Sequence, residues 1–290
     1  MIVAGSRAEL RAARATVPGP VVLVPTMGAL HDGHRALLRR ARELAGQTGT
    51  VAVSIFVNPL QFGPNEDLDR YPRTLSEDLK VCAAEHVDLV FAPSAREMYP
   101  DRQLIMVDPG PAGEILEGEF RPGFFRGVLT VVLKLFSLVR PDVAVFGQKD
   151  AQQLTLVRQM VSDFALGIEI EAVPTVRAAD GLALSSRNKY LSSSQRSVAS
   201  VLHNALAAGA AAAGDGPRAV LDAAQQVLDT AGAALSLDYL ALVERGTYRP
   251  VQDDAFEGAA VLALAARLGG TRLIDNVIVG FGTERDAADD

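Results

Sequence analysis

Tryptophan is absent from this 290-residue chain, and cysteine occurs once, at Cys82. A single thiol excludes an internal disulfide framework and any zinc site built from several cysteines. Cys82 lies in an apolar-periodic stretch with no basic neighbour, so a buried, inert thiol is expected there rather than a nucleophile. Aromatic residues make up only 6%, which leaves Val, Leu and Ala to fill the core. Basic charge is short as well: 28 Lys and Arg stand against 35 Asp and Glu, a formal net charge of -7. A chain whose main partner was nucleic acid would more often carry a basic surplus, so no such partner is expected. An acidic total still permits anionic ligands, provided that local donors hold them.

Long hydrophobic runs are missing too. The longest, Val128 to Val139, is interrupted by Lys134 and too short to span a bilayer. The opening five residues meet Arg7, Glu9 and Arg11 too soon to make a secretory signal. The expectation is a cytoplasmic protein with no membrane partner. There is no internal repeat.

What is present is ordinary for a globular protein, 49% apolar and 22% charged. The length suits one large domain and a smaller one. Val21–Val24, Val51–Val57, Leu89–Phe91, Val143–Phe146 and Ile168–Val173 read as buried strands. Between them His34–Leu44, Leu75–Glu85, Arg126–Val139 and Gln152–Phe164 read as helices, the second opened by a capping box of Thr74 and Glu77. This alternation predicts an α/β fold: a Rossmann-like parallel sheet covered on both faces, with ligands beyond the carboxyl ends of its strands. After about residue 175 the pattern changes. A helix capped by Ser192 and Gln195 crosses the Ala-rich stretch Ala205–Ala213, a second spans Pro217–Thr230, and three strands follow at Leu237–Val243, Ala259–Ala266 and Arg272–Val279. The division expected is a catalytic domain over 1–175 and a smaller α+β domain over 176–290 acting as a lid.

The chemistry gathers after the strands. Pro25-Thr26-Met27-Gly28-Ala29-Leu30-His31-Asp32-Gly33-His34 joins the Val21 strand to the first of these helices, where free N–H groups and the helix dipole favour phosphate. His31 and His34, three apart, can share one face of the entering turn. Two readings stand beside each other: a pair of helix caps with satisfied hydrogen bonds, or a phosphate-handling pair. His86 and His203 lack such a setting and read as structural or solvated.

The His-x-Gly-His segment resembles the signature of the HIGH-type nucleotidyltransferases. Further segments narrow the likeness: Ser54–Gly63, Asp67–Arg73, Phe146–Gln153, Val173–Arg177 and Gly181–Asn188. Together they resemble the pantoate–β-alanine ligase family over most of the chain. That resemblance implies ATP-dependent condensation of pantoate with β-alanine through a pantoyl-adenylate, releasing pyrophosphate and AMP, with Mg²⁺ assisting and a homodimer as the assembly. It implies His34, His31 and Lys149 as catalytic groups. It implies ATP contacts from Pro25, Met27, Gly28, Ala29, Leu30, Asp32 and Gly33 beside the histidines; from Gly147, Gln148, Lys149 and Asp150; and from Val176, Leu184, Ser185, Ser186 and Arg187. Gln61 and Gln153 are assigned to pantoate and β-alanine, and no metal ligands are assigned.

Each assignment has a bland rival. Lys149 could be a surface cation, Asp150 a helix cap, Ser185-Ser186-Arg187 an ordinary loop, and the two glutamines solvated. Met27, Phe56 and Phe62 could wall the pantoate methyls or simply fill a core, and Arg121, Phe125 and Arg126 could line or cover the pocket. Two departures from the family pattern stand out: Leu184 where Met is expected, and Gln148 where Glu is common. Rival functions are a transferase that leaves the nucleotide on its product, an aminoacyl-tRNA synthetase, and a non-catalytic nucleotide binder. The short chain and acidic balance disfavour the second, and the intact His31, His34, Lys149 and Arg187 disfavour the third.

Overall fold

The computed structural model describes residues 1–64 and 66–282. The chain divides into two compact units, Met1–Gln148 with Leu156–Pro174, and Lys149–Thr155 with the chain from Thr175 onward.

The first unit is a six-stranded sheet in the order β1-β4-β3-β2-β5-β6, every pairing parallel. Its strands are β1 (Ile2–Ala4), β2 (Val21–Thr26), β3 (Thr50–Ile55), β4 (Leu89–Phe91), β5 (Val143–Gly147) and β6 (Glu169–Val173). Val21–Val24, Val51–Val53 and Leu89–Phe91 are at most 2% exposed. They are unbroken apolar runs because the sheet is covered on both faces. The covering helices are α1 (Arg7–Arg14), α2 (Asp32–Ala45), α3 (Leu75–Ala84), α4 (Ala95–Met98), α5 (Glu117–Phe120), α6 (Phe124–Val139) and α7 (Ala151–Asp163), the last beginning among second-unit residues. Leu38, Ala41 and Ala45 of α2 pack with Val22, Val24, Val51, Val53 and Cys82 in one core cluster. Cys82 is the buried thiol expected, and burial pushes its pKa up to about 11.

From β2 the chain moves outward through β3 and β4, then returns to pair β5 against the other side of β2. The carboxyl ends of β2 and β5 therefore flank the switch point of the sheet, where open α/β folds bind their ligands.

Three local readings need correction. The strand expected over Val51–Val57 stops at Ile55, although Phe56 still donates its N–H to the Thr26 carbonyl at 3.0 Å. The edge strand β1 and helix α1 are additions to the expected elements, although Ile2–Ala4 is apolar and Ser6 with Glu9 forms a capping box at the start of α1. Thr74 is the N-cap of α3, yet its side chain makes no cap bond; its hydroxyl donates to Asp78 Oδ2 at 3.2 Å instead.

The second unit builds an antiparallel sheet from β7 (Ser236–Glu244), β8 (Gly258–Leu268) and β9 (Thr271–Phe281). Helices α8 (Ser193–Ala211) and α9 (Pro217–Asp229) share its core, where Leu202, Leu206, Leu262 and Leu264 are almost fully buried. The capping box of Ser192 and Gln195 forms as expected. Among the described residues, no helix is long and apolar enough to cross a membrane.

Candidate active site

At the end of β2 the backbone turns sharply through Gly28 and Ala29, whose φ angles are +82° and +52°, and His31 caps α2. The His31 Nδ1 accepts the Gly33 N–H at 3.1 Å, and the His34 Nδ1 accepts the His31 N–H at 3.2 Å. The rings lie 4.1 Å apart between centroids, tilted by 49°. The cap reading of these histidines is therefore correct, and it carries a chemical consequence. A nitrogen that accepts a hydrogen bond cannot also hold the proton, so each neutral ring is the Nε2–H tautomer. Each offers an N–H donor at the N-terminus of α2, where the dipole already favours negative charge. Asp32 is mostly exposed, 3.7 Å from Arg35.

Gln61 closes a 3-10 turn, Pro59–Gln61, that follows β3. Far from being solvated, Gln61 is buried, with 8% exposure. Asn58 sets its orientation: Nδ2 donates to Gln61 Oε1 at 3.0 Å and to the Gly127 carbonyl at 3.1 Å, while Oδ1 accepts from Tyr99 at 2.9 Å. With its oxygen engaged, Gln61 presents its amide N–H end, and Nε2 stands 3.1 Å from Met27 Sδ. The turn can lie this close to α6 only because residue 127 is glycine; a Cβ there would fall 2.1 Å from the Leu60 carbonyl oxygen. Phe56 is buried, and Phe62 meets Tyr71 edge-on at 5.8 Å. Arg121 pairs with Glu66 at 2.6 and 2.9 Å and stacks over Phe124. Phe125 is a core residue, whereas Arg126 is exposed.

Gly147 ends β5 at the switch point and Gln148 follows it, both in the first unit. Lys149 and Asp150 complete a 3-10 turn that runs directly into α7. The Lys149 side chain is 20% exposed, with Nζ 3.9 Å from Asp150 Oδ1. Its backbone is tied to β9, since Asn276 Nδ2 donates to the Lys149 carbonyl at 2.9 Å. On the next turn Gln152 is buried and Gln153 half-buried.

Ser185, Ser186 and Arg187 follow a small hairpin in which Leu184 N–H donates to the Val176 carbonyl and Ala178 N–H to the Leu182 carbonyl, both at 2.9 Å. Arg177 secures that hairpin to β9 through two bonds to the buried Asp275, at 2.5 and 3.0 Å. Ser185 Oγ accepts the Arg187 N–H at 3.3 Å, opening the 3-10 turn Ser186–Tyr190. A serine oxygen that accepts in this way still donates through its own hydrogen. Leu184 enters the hairpin through its backbone, so the loop's path does not require the Met expected there.

The histidine turn, Gln61, Gly147 and Gln148 thus belong to the first unit, and Lys149, Asp150, Gln153, Val176 and Leu184 to Arg187 to the second. Sequence reasoning passes over Asn58 and Asp78. Asn58 has one local signal, an Asn-Pro at a strand end; Asp78 has none.

The chain matches the family described as pantoate-beta-alanine ligase over residues 3–278. It is 60% identical over 285 residues to the pantothenate synthetase of Thermobifida fusca, covering 95% of each chain. Among solved structures it resembles the pantothenate synthetase of Thermus thermophilus, with a TM-score of 0.88 and 46% identity over 96% of this chain and 99% of that one. It also resembles a pantoate-beta-alanine ligase from Francisella tularensis, solved in complex with beta-gamma ATP and beta-alanine: TM-score 0.77, 35% identity, 96% and 97% coverage.

Proposed function

Since the chain belongs to the pantoate–β-alanine ligase family, we propose that it joins pantoate to β-alanine at the expense of ATP, by way of a pantoyl-adenylate. A carboxylate resists attack by an amine, because its charge repels the nucleophile and it offers no good leaving group. In the first step a pantoate carboxylate oxygen attacks the α-phosphorus, and pyrophosphate leaves. In the second the β-alanine nitrogen attacks the activated carbonyl, loses a proton, and AMP departs with the bridging oxygen.

One observation carries this reading: the reciprocal cap that leaves both histidines as Nε2–H donors at a helix N-terminus beside the switch point. Such donors meet the charge that develops on phosphate oxygens during adenylation. His34 is the stronger candidate for proton donation to the leaving pyrophosphate. Lys149 supplies a mobile cation, and Ser185, Ser186 and Arg187 supply two hydroxyls and a guanidinium for the phosphates. The remaining contacts on ATP are assigned to Pro25, Met27 to Leu30, Asp32, Gly33, Gly147, Gln148, Asp150, Val176 and Leu184. Gln61, whose Nε2 donates to Met27 Sδ and carries a second N–H, suits the acceptor oxygens of pantoate, and Gln153 is assigned to the same substrates.

Mg²⁺ fits this donor set in a particular way. Among the described residues no three His, Cys, Asp or Glu side chains gather to hold an ion. Mg²⁺ bound chiefly by triphosphate oxygens and water asks for only one or two carboxylates. Asp150, half exposed beside Lys149, is the candidate. The ion would neutralise phosphate charge.

The test is direct. The protein is incubated with ATP, Mg²⁺, pantoate and β-alanine, each is omitted in turn, and the released nucleotide is identified. AMP that requires both acids supports the ligase; nucleotide retained on the product rejects it. Residues 176–290 are assigned the part of a lid, and ATP-dependent protection from hydrogen exchange in that segment tests it. A homodimer, checked by sedimentation, and a cytoplasmic location complete the reading.

A further inference from the structure

We propose that Asp78 is a positioning residue for His31 and His34, acting through the backbone of the Gly28–Leu30 turn. Asp78 lies in α3, 48 residues beyond Leu30, and is 2% exposed. Its Oδ1 accepts the Leu30 N–H at 2.8 Å, and its Oδ2 accepts the Ala29 N–H at 3.1 Å and the Thr74 hydroxyl at 3.2 Å.

In a tight turn, successive backbone N–H groups can point toward a common centre and form a concavity for an anion. Here the protein fills that concavity with its own carboxylate. Ala29 also occupies a left-handed conformation that carries a steric cost for a non-glycine residue. Two charge-assisted hydrogen bonds offset that cost and hold the turn in place.

The anchored peptide then controls the next one. Leu30 precedes His31, whose N–H is the donor to His34 Nδ1. A rotation of the backbone at Leu30 would break that bond and free the tautomer of His34, whose ring packs on that of His31. Two further features converge on the same contact. Thr74 donates its hydroxyl hydrogen to Asp78 and makes no side-chain bond to its own helix end. A Cβ on Gly28 would fall 2.9 Å from Asp78 Oδ2, so residue 28 must be glycine for the carboxylate to reach the turn.

Asp78→Asn tests the inference with little change in volume. Its amide NH2 must face one of the two backbone N–H donors, leaving that donor without an acceptor. In the whole protein labelled with ¹⁵N-histidine, wild-type His31 and His34 should show protonated Nε2 and bare Nδ1. The variant should lose that pattern at His34, while His86 and His203 keep theirs. Kinetically, where the inference rests on the ligase reading, pantoate-dependent ATP–pyrophosphate exchange should fall about 10²-fold, the scale of a small misplacement of reacting groups. Aminolysis of supplied pantoyl-adenylate should be little changed. Gly28→Ala keeps the carboxylate but displaces it and should reproduce the spectral change. Should Asp78→Asn fail to fold, Gly28→Ala and the milder Thr74→Val decide the question. An unaltered His34 spectrum, or an equal fall in both half-reactions, would overturn the inference. A wild-type protein without exchange activity would reject the ligase reading alone and leave the spectra to decide the role of Asp78.

Discussion

An imidazole whose Nδ1 accepts a backbone hydrogen bond has one neutral tautomer, and His31 and His34 settle it for both rings through the same helix cap. Replacing His34 by Ala removes a donor and also the acceptor that fixes the His31 N–H. Adenylation should fall at least ~10²-fold, read as single-turnover pyrophosphate release. Unchanged release would reject the assignment. Lys149→Ala should lower the same step by about 10²–10³-fold through lost electrostatic stabilisation. If only ATP affinity moved, Lys149 would be a ground-state binder. These residues are legible in the sequence because the turn that displays them is local, a few positions after a strand. Asn58 and Asp78 are not, because what makes them matter is contact with residues distant in the chain: Gly127 and Tyr99 for one, Ala29 and Leu30 for the other.

At the scale of elements, hydrophobic pattern suffices for buried strands and long helices and fails where tertiary contact overrides local preference. Thr74 and Glu77 satisfy the capping-box spacing, yet the Thr74 hydroxyl donates to the buried Asp78 carboxylate and its oxygen accepts no bond from its own helix end. The strand β1 has only three residues, two of them exposed, and so short an apolar run does not announce a sheet edge. Packing of the Asn58–Gln61 turn on α6 yields a prediction of its own. Gly127→Ala would drive a methyl group into the Leu60 carbonyl and shift Gln61. The expected result is a rise in the pantoate KM together with a loss of about 1–3 kcal/mol of stability, the range for overpacking. Denaturation and initial-rate measurements on one preparation check both. A variant with normal KM would separate Gln61 from pantoate.

For the molecule as a whole, the lone cysteine gives a pH signature. The buried Cys82 thiol ionises only at about 11, against an ordinary 9.0. A raised pKa favours folding below the ordinary value, and that share of stability is lost as pH climbs from 9.0 toward about 11. Cys82→Ala should therefore flatten the alkaline decline of Tm across that window while leaving ligation intact. Native enzyme should resist thiol reagents at about pH 8 until it is unfolded. Rapid labelling of the folded form would contradict the burial.

The smaller unit is assembled from two stretches of chain that are not neighbours in sequence. Asn276 near the C-terminal end grips the carbonyl of Lys149, which the polypeptide makes well before it reaches β9. Cutting at residue 175 would leave the gripped peptide behind with the wrong half, so neither fragment would be a faithful module. Anyone building chimaeras between relatives should exchange Lys149–Thr155 together with the C-terminal portion, as two grafts rather than one.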